Sequence, residues 1–163
     1  MALKIYFAGP RFTTYEREWI SKIADLLRTR GFDPFAPIEN PFHPEDHPEI
    51  TRQKLCFDMD FIGIQTANAM FVNLNGNEVD DSTATETGVF YELMQTDQTK
   101  KGIVAYHDDW RQQESGDGKG AEPLRARVHR GGGLITSSLD DAIMQLKQWE
   151  DKLDSNVGVK SGE

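Results

Sequence analysis

The chain of 163 residues is long enough for one domain with a substantial core and too short for two domains of ordinary size. Its 18 basic and 27 acidic residues give a formal net charge of -9, which argues against nucleic acid or an anionic membrane as a partner. The single Cys56 excludes an internal disulfide, and no apolar run approaches the roughly 20 residues that a transmembrane helix needs. We expect a cytoplasmic protein, because the first residues also lack a signal-peptide pattern.

Short apolar runs predict five strands, and segments with helical spacing of apolar residues separate them. The strands are expected at 3–8, 33–37, 69–74, 102–106 and 134–136, and the helices at 15–30, 49–65, 83–98 and from 139 onwards. Prolines restrict the strand at 33–37 to a sheet edge. This alternation predicts an α/β fold, with a parallel sheet covered by helices on both faces.

Three segments fall outside this alternation. Residues 38–48 are rich in proline, and the prolines make a shared metal site for His43 and His47 implausible, so we expect no metal. Residues 107–133 are polar and rich in glycine and arginine, which indicates a lid or a segment ordered by a ligand or a neighbouring subunit. We therefore predict a single domain at 1–151 and a disordered tail at 152–163.

The stretch 80–86, Asp-Asp-Ser-Thr-Ala-Thr-Glu, lies between the third predicted strand and the helix that follows it. Ser82 or Thr83 is expected to cap that helix, which would place Glu86 in or near the first turn and keep its carboxylate ionised. Ligands of open α/β sheets bind where strands end and helices begin, so these carboxylates would line a ligand crevice. The alternative is a cluster of capping residues on a solvated turn.

Three motifs occur in order along the chain: residues 4–10, Lys-Ile-Tyr-Phe-Ala-Gly-Pro; Asp60, in the second predicted helix; and residues 80–88. Together they resemble the nucleoside 2-deoxyribosyltransferase family, and the likeness extends over about residues 4–106. The resemblance implies a flavodoxin-like (Rossmann-like) five-stranded parallel sheet and an enzyme that exchanges the base on 2'-deoxyribonucleosides without a cofactor. Close relatives instead hydrolyse the N-glycosidic bond of nucleoside 5'-monophosphates.

By that resemblance Glu86 matches the nucleophile and Tyr6 its hydrogen-bonding partner, although a lone Tyr in a strand is more often a core residue. Asp60 and Asp80 match the carboxylates that handle the base and the sugar. Asp58 and Asp60 are two residues apart on one helix, so only one of them can point inward. The residues expected to bind substrate are Asp80, Gly9, Pro10, Arg11, Asn40 and Ser82.

Cleavage of an N-glycosidic bond builds positive charge on the anomeric carbon, which a carboxylate can stabilise and then capture as an ester. Glu86 suits that role. The departing base needs a proton, and a second carboxyl crowded by the first has a raised pKa, which makes Asp60 the expected acid.

One departure from the family concerns the 5' end of the sugar. The transferases carry an Asn-x-Met segment there, lent by a neighbouring subunit, and residues 107–133 contain none. Arg11 and the arginines of that segment would suit a 5'-phosphate, unless those arginines only balance an acidic surface. The alternatives to base transfer are therefore hydrolysis of (deoxy)nucleoside 5'-monophosphates and nucleotide binding without turnover. We also expect a homo-oligomer with shared active sites.

Overall fold

The computed structural model describes residues 1–39, 49, 51–76, 79–108 and 128–157. Within these residues the chain forms five strands: β1 Lys4–Ala8, β2 Asp33–Phe35, β3 Ala69–Asn73, β4 Gly102–Tyr106 and β5 Leu134–Thr136. Three helices separate the first four strands: α1 Thr14–Thr29, α2 Arg52–Thr66 and α3 Asp81–Thr96. Helix α4, Leu139–Val157, follows β5. A short 3₁₀ turn at Pro37–Glu39 follows β2.

The five strands form one sheet in the order β2-β1-β3-β4-β5, and every neighbouring pair is parallel. Tyr6 in β1 lies between Phe35 of β2 and Met70 of β3 in the register. The order reverses between β1 and β3, which is the flavodoxin-like arrangement, with its ligand crevice at the carboxyl ends of those two strands. The predicted fold class is confirmed, and the proline-containing β2 is an edge strand as expected.

Two hydrophobic clusters lie on opposite faces of the sheet. Alternate residues of β1 divide between them, so that Phe7 packs with the apolar stripes of α1 and α4, and Tyr6 packs with α2 and α3. Thr13 caps α1, and the hydroxyl of Ser138 accepts a hydrogen bond from the backbone N–H of Asp141 at the start of α4. Helices therefore cover both faces, and the sheet fixes where their ends lie.

Three helix details differ from the sequence predictions. Helix α2 is expected from residue 49 but begins at Arg52, after its N-cap Thr51, and two of its apolar residues, Phe57 and Ile62, are 62% and 58% exposed. Helix α3 is capped by Asp80 and not by Ser82 or Thr83. Helix α4 continues to Val157, beyond the predicted end of the domain at 151.

Residues 40–48, with Asn40, His43 and His47, lie outside the described residues, as do 109–127 and 158–163. Their predicted roles therefore stay predictions. Within the described parts of the chain, no cluster of His, Cys, Asp or Glu is suited to holding a metal ion. No described helix is long and apolar enough to cross a membrane.

Candidate active site

A cavity of about 580 Å³ lies between α2, α3 and the loop that follows β1. Asp60 reaches it from α2, Glu86 from α3 and Arg11 from the loop, so three separate elements bring predicted site residues together. Its remaining lining residues are Arg52, Gln53, Cys56, Phe57, Phe61, Ile64, Asp81, Ser82, Thr85 and Val89. A mostly apolar wall with a few convergent charged groups is the usual composition of a small-molecule site.

Glu86 is half-buried in the second turn of α3, because the helix starts at Asp81. Burial, followed by the nearby charge of Asp60, raises the pKa of Glu86 to about 8. Arg11 and the hydroxyl of Tyr6 act in the opposite direction and lower it. The expectation that the first turn of the helix keeps Glu86 ionised is therefore wrong, since Glu86 lies beyond the unpaired N–H groups and in a less hydrated place.

Tyr6 lies in β1 with no solvent exposure. Burial raises the pKa of its hydroxyl, and the charges of Glu86 and Asp60 raise it further. The hydroxyl is close enough to Glu86 for each group to shift the pKa of the other, yet no described residue meets the usual distance and angle of a hydrogen bond to it. Tyr6 is thus both a core residue and a neighbour of Glu86.

Asp60 is the carboxylate of α2 that points inward. Its side chain is 19% exposed and accepts from the guanidinium of Arg11 at 3.5 Å, whereas Asp58 pairs with Lys54 at 2.5 Å on the outer face. Burial raises the pKa of Asp60, and Arg11 offsets part of that rise. The raised pKa agrees in direction with the sequence expectation, and burial is its largest cause. The repulsion between Asp60 and Glu86 acts on the pKa of Glu86.

Asp80 is the N-cap of α3. One carboxylate oxygen accepts from the Ser82 hydroxyl at 2.6 Å and the Thr83 backbone N–H at 3.1 Å, and the other accepts from the Thr83 hydroxyl. Burial favours a raised pKa, but these hydrogen bonds outweigh it and lower the pKa of Asp80. Asp80 is not among the residues that line the large cavity, although Asp81 and Ser82 are.

Gly9 follows β1 directly and allows a close approach to β3. A Cβ atom at Gly9 would lie 2.9 Å from the Cβ of Asn73, closer than side chains pack. Gly9, Arg11, Ser82 and Glu86 line one small hollow, and Pro10 lies between the first two in the chain. Of the residues expected to bind substrate, only Asn40 falls outside the described part of the chain.

Several residues of the site were not predicted. Phe57 and Phe61 stack with ring centroids 5.7 Å apart in the wall of the cavity, beside Cys56. A second cavity of about 340 Å³ shares Arg11, Arg52, Cys56 and Asp60 with the first and adds the 70% exposed Phe12. One sequence signal was available: the apolar residues of 49–65 surround the helix and do not form one stripe, so some of them must lie away from the core.

A sequence profile described as nucleoside 2-deoxyribosyltransferase matches residues 5–144 of the chain. A search of curated proteins gives no significant match. Among solved structures, a conserved protein from Enterococcus faecalis V583 is 23% identical, with a TM-score of 0.69 over 91% of this chain and 99% of that one, and it supports the fold. A 2-deoxyribosyltransferase from Bacillus psychrosaccharolyticus is 28% identical, with a TM-score of 0.48 over 63% of this chain and 71% of that one. Because the profile spans most of its length, the chain belongs to the nucleoside 2-deoxyribosyltransferase family.

Proposed function

We propose that the protein cleaves the N-glycosidic bond of 2'-deoxynucleosides and transfers the deoxyribose to another nucleobase through a covalent Glu86 intermediate. The observation that carries this proposal is the meeting of Glu86, Asp60 and Tyr6 at one site, in a chain that belongs to this family. Glu86 and Asp60 line the cavity, and Tyr6 of the sheet is close enough for the charges of both to raise the pKa of its hydroxyl.

In the first half of the reaction, the bond between C1' and the base nitrogen breaks as a bond forms between C1' and a carboxylate oxygen of Glu86. The positive charge that develops on C1' is stabilised by that carboxylate in a poorly hydrated place, where such attraction is strong. The base nitrogen receives the bond electrons and takes a proton from Asp60. The products are a free base and a glycosyl ester of Glu86.

The site itself supplies the proton. With a pKa of about 8, Glu86 holds a proton in most molecules of the free protein at neutral pH. Glu86 must lose this proton before it attacks, and Asp60, whose pKa is also raised, is the neighbouring carboxyl on the base side that can take it up. The hydroxyl of Tyr6 stabilises the ionised Glu86, since it lowers the pKa of that carboxyl.

The second half reverses these changes with another base. A nitrogen of the incoming base attacks C1', the ester bond to Glu86 breaks, and the proton of that nitrogen passes to Asp60. The protein returns to its starting charge after one exchange. If water replaces the incoming base, the product is free deoxyribose.

A second candidate function is the hydrolysis of nucleoside 5'-monophosphates. It is favoured by Arg11 and Arg52, because both line the cavity beside Glu86 and guanidinium groups bind phosphate well. Arg11 is, however, already paired with Asp60, so a phosphate would compete with that carboxylate for it. We therefore place base transfer first.

The test is an exchange assay with two matched arms. Incubation with a deoxynucleoside and a second free base should yield a new deoxynucleoside, and Glu86→Gln should abolish it. A nucleoside monophosphate without acceptor, run in parallel, should give little free base. Release of base and sugar phosphate in the second arm alone would favour hydrolysis, and ligand binding without any product would favour a binding protein.

A further inference from the structure

Gly63 lies in the interior of α2, three residues after Asp60 and in contact with the sheet. A Cβ atom built there would lie 2.7 and 2.8 Å from two ring carbons of Phe35 and 3.0 Å from a ring carbon of Tyr6. Carbon atoms do not pack at such distances, so any larger residue must displace one or both rings. Glycine usually weakens the interior of a helix, but at this position only glycine leaves room for the two rings.

The two rings that meet Gly63 form one unit. Tyr6 and Phe35 are neighbours in the register of β1 and β2, and their rings stack with centroids 5.8 Å apart and planes at 16°. Phe35 lies against both Gly63 and the cavity that contains Asp60 and Phe12. The Tyr6 ring therefore packs against both the Phe35 ring and the backbone of α2 at Gly63.

We propose that Gly63 is a positioning residue, whose missing side chain lets Tyr6 and Phe35 pack under α2 and so holds the Tyr6 hydroxyl beside Glu86. The charged and titratable groups that act on Glu86 come from four places: Tyr6 from β1, Arg11 from the loop after it, Asp60 from α2 and Asp80 from the cap of α3. Of these groups, Tyr6 supplies one of the three atoms nearest to a Cβ at Gly63. Its effect on Glu86 is thus exerted through Tyr6.

The test follows the titration of the Glu86 carboxyl by ¹³C NMR, with the signal identified by its absence in Glu86→Gln. Gly63→Ala should move this titration to higher pH, in the same direction as Tyr6→Phe, because the stabilising hydroxyl is displaced. The matched control is Gly88→Ala, since a Cβ at Gly88 in α3 meets nothing within 4 Å. That control should leave the titration at its wild-type position.

A double-mutant cycle separates positioning from a general packing defect. In the Tyr6→Phe background, Gly63→Ala should cause no further shift of the Glu86 titration, because the group through which it acts is already gone. A shift of full size in that background, or no shift in the wild-type background, would overturn the proposal. If Gly63→Ala does not fold, Phe35→Leu takes its place, since it loosens the same ring from the other side and should shift the titration in the same direction. An unchanged titration in Phe35→Leu would then overturn the proposal.

A kinetic arm rests on the proposed function. Gly63→Ala should lower kcat for base exchange by about tenfold, since small misplacements of catalytic groups have effects of this size or larger. Gly88→Ala should exchange bases at the wild-type rate. If the wild-type protein exchanges no bases, the proposed function fails while the titration still decides the role of Gly63.

Discussion

The guanidinium of Arg11 lies 3.5 Å from the carboxylate of Asp60 and connects the loop after β1 to helix α2. Its positive charge lowers the pKa of both Asp60 and Glu86, so it opposes the effect of burial on each. One cation thus influences the protonation state of both carboxyls.

We predict that Arg11→Met lowers the rate of base exchange at pH 7, because the ionised Glu86 that attacks C1' loses a stabilising positive charge. The same loss raises the pKa of Glu86, so the fall in rate at alkaline pH should begin at a higher pH than in the wild type. The measurement is kcat/KM for deoxynucleosides and for nucleoside monophosphates across pH. Arg28→Met is the matched control, because Arg28 pairs with Asp25 and Glu39 outside this site. A loss confined to the monophosphates would instead assign Arg11 to a phosphate.

The pH dependence of the wild-type protein is a second prediction. Only ionised Glu86 can attack C1', and its pKa in the free protein is about 8. The departing base also needs a proton on Asp60, so the reactive form of the Glu86–Asp60 pair carries one proton, and kcat/KM should fall above about pH 8 as that proton is lost. Exchange assays from acidic to alkaline pH measure this fall, and a rate that keeps rising above about pH 8 would contradict the proposed transfer of the proton from Glu86 to Asp60.

Much of the fold was predictable from the sequence, because the buried strands of a parallel sheet are short apolar runs that helical patterns separate. The geometry of the site was less predictable. Asp80, Ser82 and Thr83 are all good N-cap residues, and choosing among them shifts the helix start by up to three residues. Burial of Glu86 depends on that choice, since each residue turns the helix by about 100°. Only tertiary packing decides it.

Asp60 shows a second reason why the site could not be fully predicted from the sequence. The two-residue spacing from Asp58 indicates that one of the pair points inward, and Asp60 does. Its ion pair with Arg11 and the contact of Gly63 with Tyr6 join residues that are about fifty or more positions apart in the chain. No local pattern encodes such contacts, because they follow from the sheet order.

Two substitutions at Asp80 separate its cap from the predicted role in holding the sugar. Asp80→Ala removes the acceptor of the Ser82 and Thr83 hydrogen bonds and should lower the free energy of unfolding by about 1 kcal/mol or more. Asp80→Asn keeps a good capping oxygen without the charge and should be nearly as stable as the wild type. If Asp80 also holds the sugar, KM for deoxynucleosides rises in Asp80→Asn. An unchanged KM would limit Asp80 to the cap.

The predicted homo-oligomer can be tested on α2. Ile62 is 58% exposed on this helix, and a contact between copies on this face would cover its apolar side chain. We expect light scattering to detect a species larger than the 18.5 kDa chain, and Ile62→Glu to weaken it. The exposed Met144 on α4 provides a control as Met144→Glu. A wild-type protein that stays at the mass of one chain and exchanges bases at full rate would contradict shared active sites.

Glu86→Gln should affect rate and stability in opposite directions. The exchange rate should fall by orders of magnitude, because the amide cannot capture C1'. A variant that keeps more than roughly a tenth of the rate would remove Glu86 from the mechanism, since a tenfold change corresponds to only about 1.4 kcal/mol of barrier. Stability should rise, for a reason that depends on pH. The pKa of Glu86 is raised from 4.5 in the unfolded chain to about 8 in the fold, so the unfolded state binds fewer protons between these values and the free energy of unfolding falls as pH rises.

Gln carries no charge to desolvate, so the variant avoids this loss. The free energy of unfolding of Glu86→Gln should exceed that of the wild type only slightly near pH 5 and by a few kcal/mol at pH 8 and above, because each pKa unit corresponds to about 1.4 kcal/mol. Thermal unfolding at both pH values measures it, with Glu92→Gln as the control at an exposed position of the same helix. A cluster of capping residues on a solvated turn predicts the reverse: near-normal exchange and a modest loss of stability at either pH.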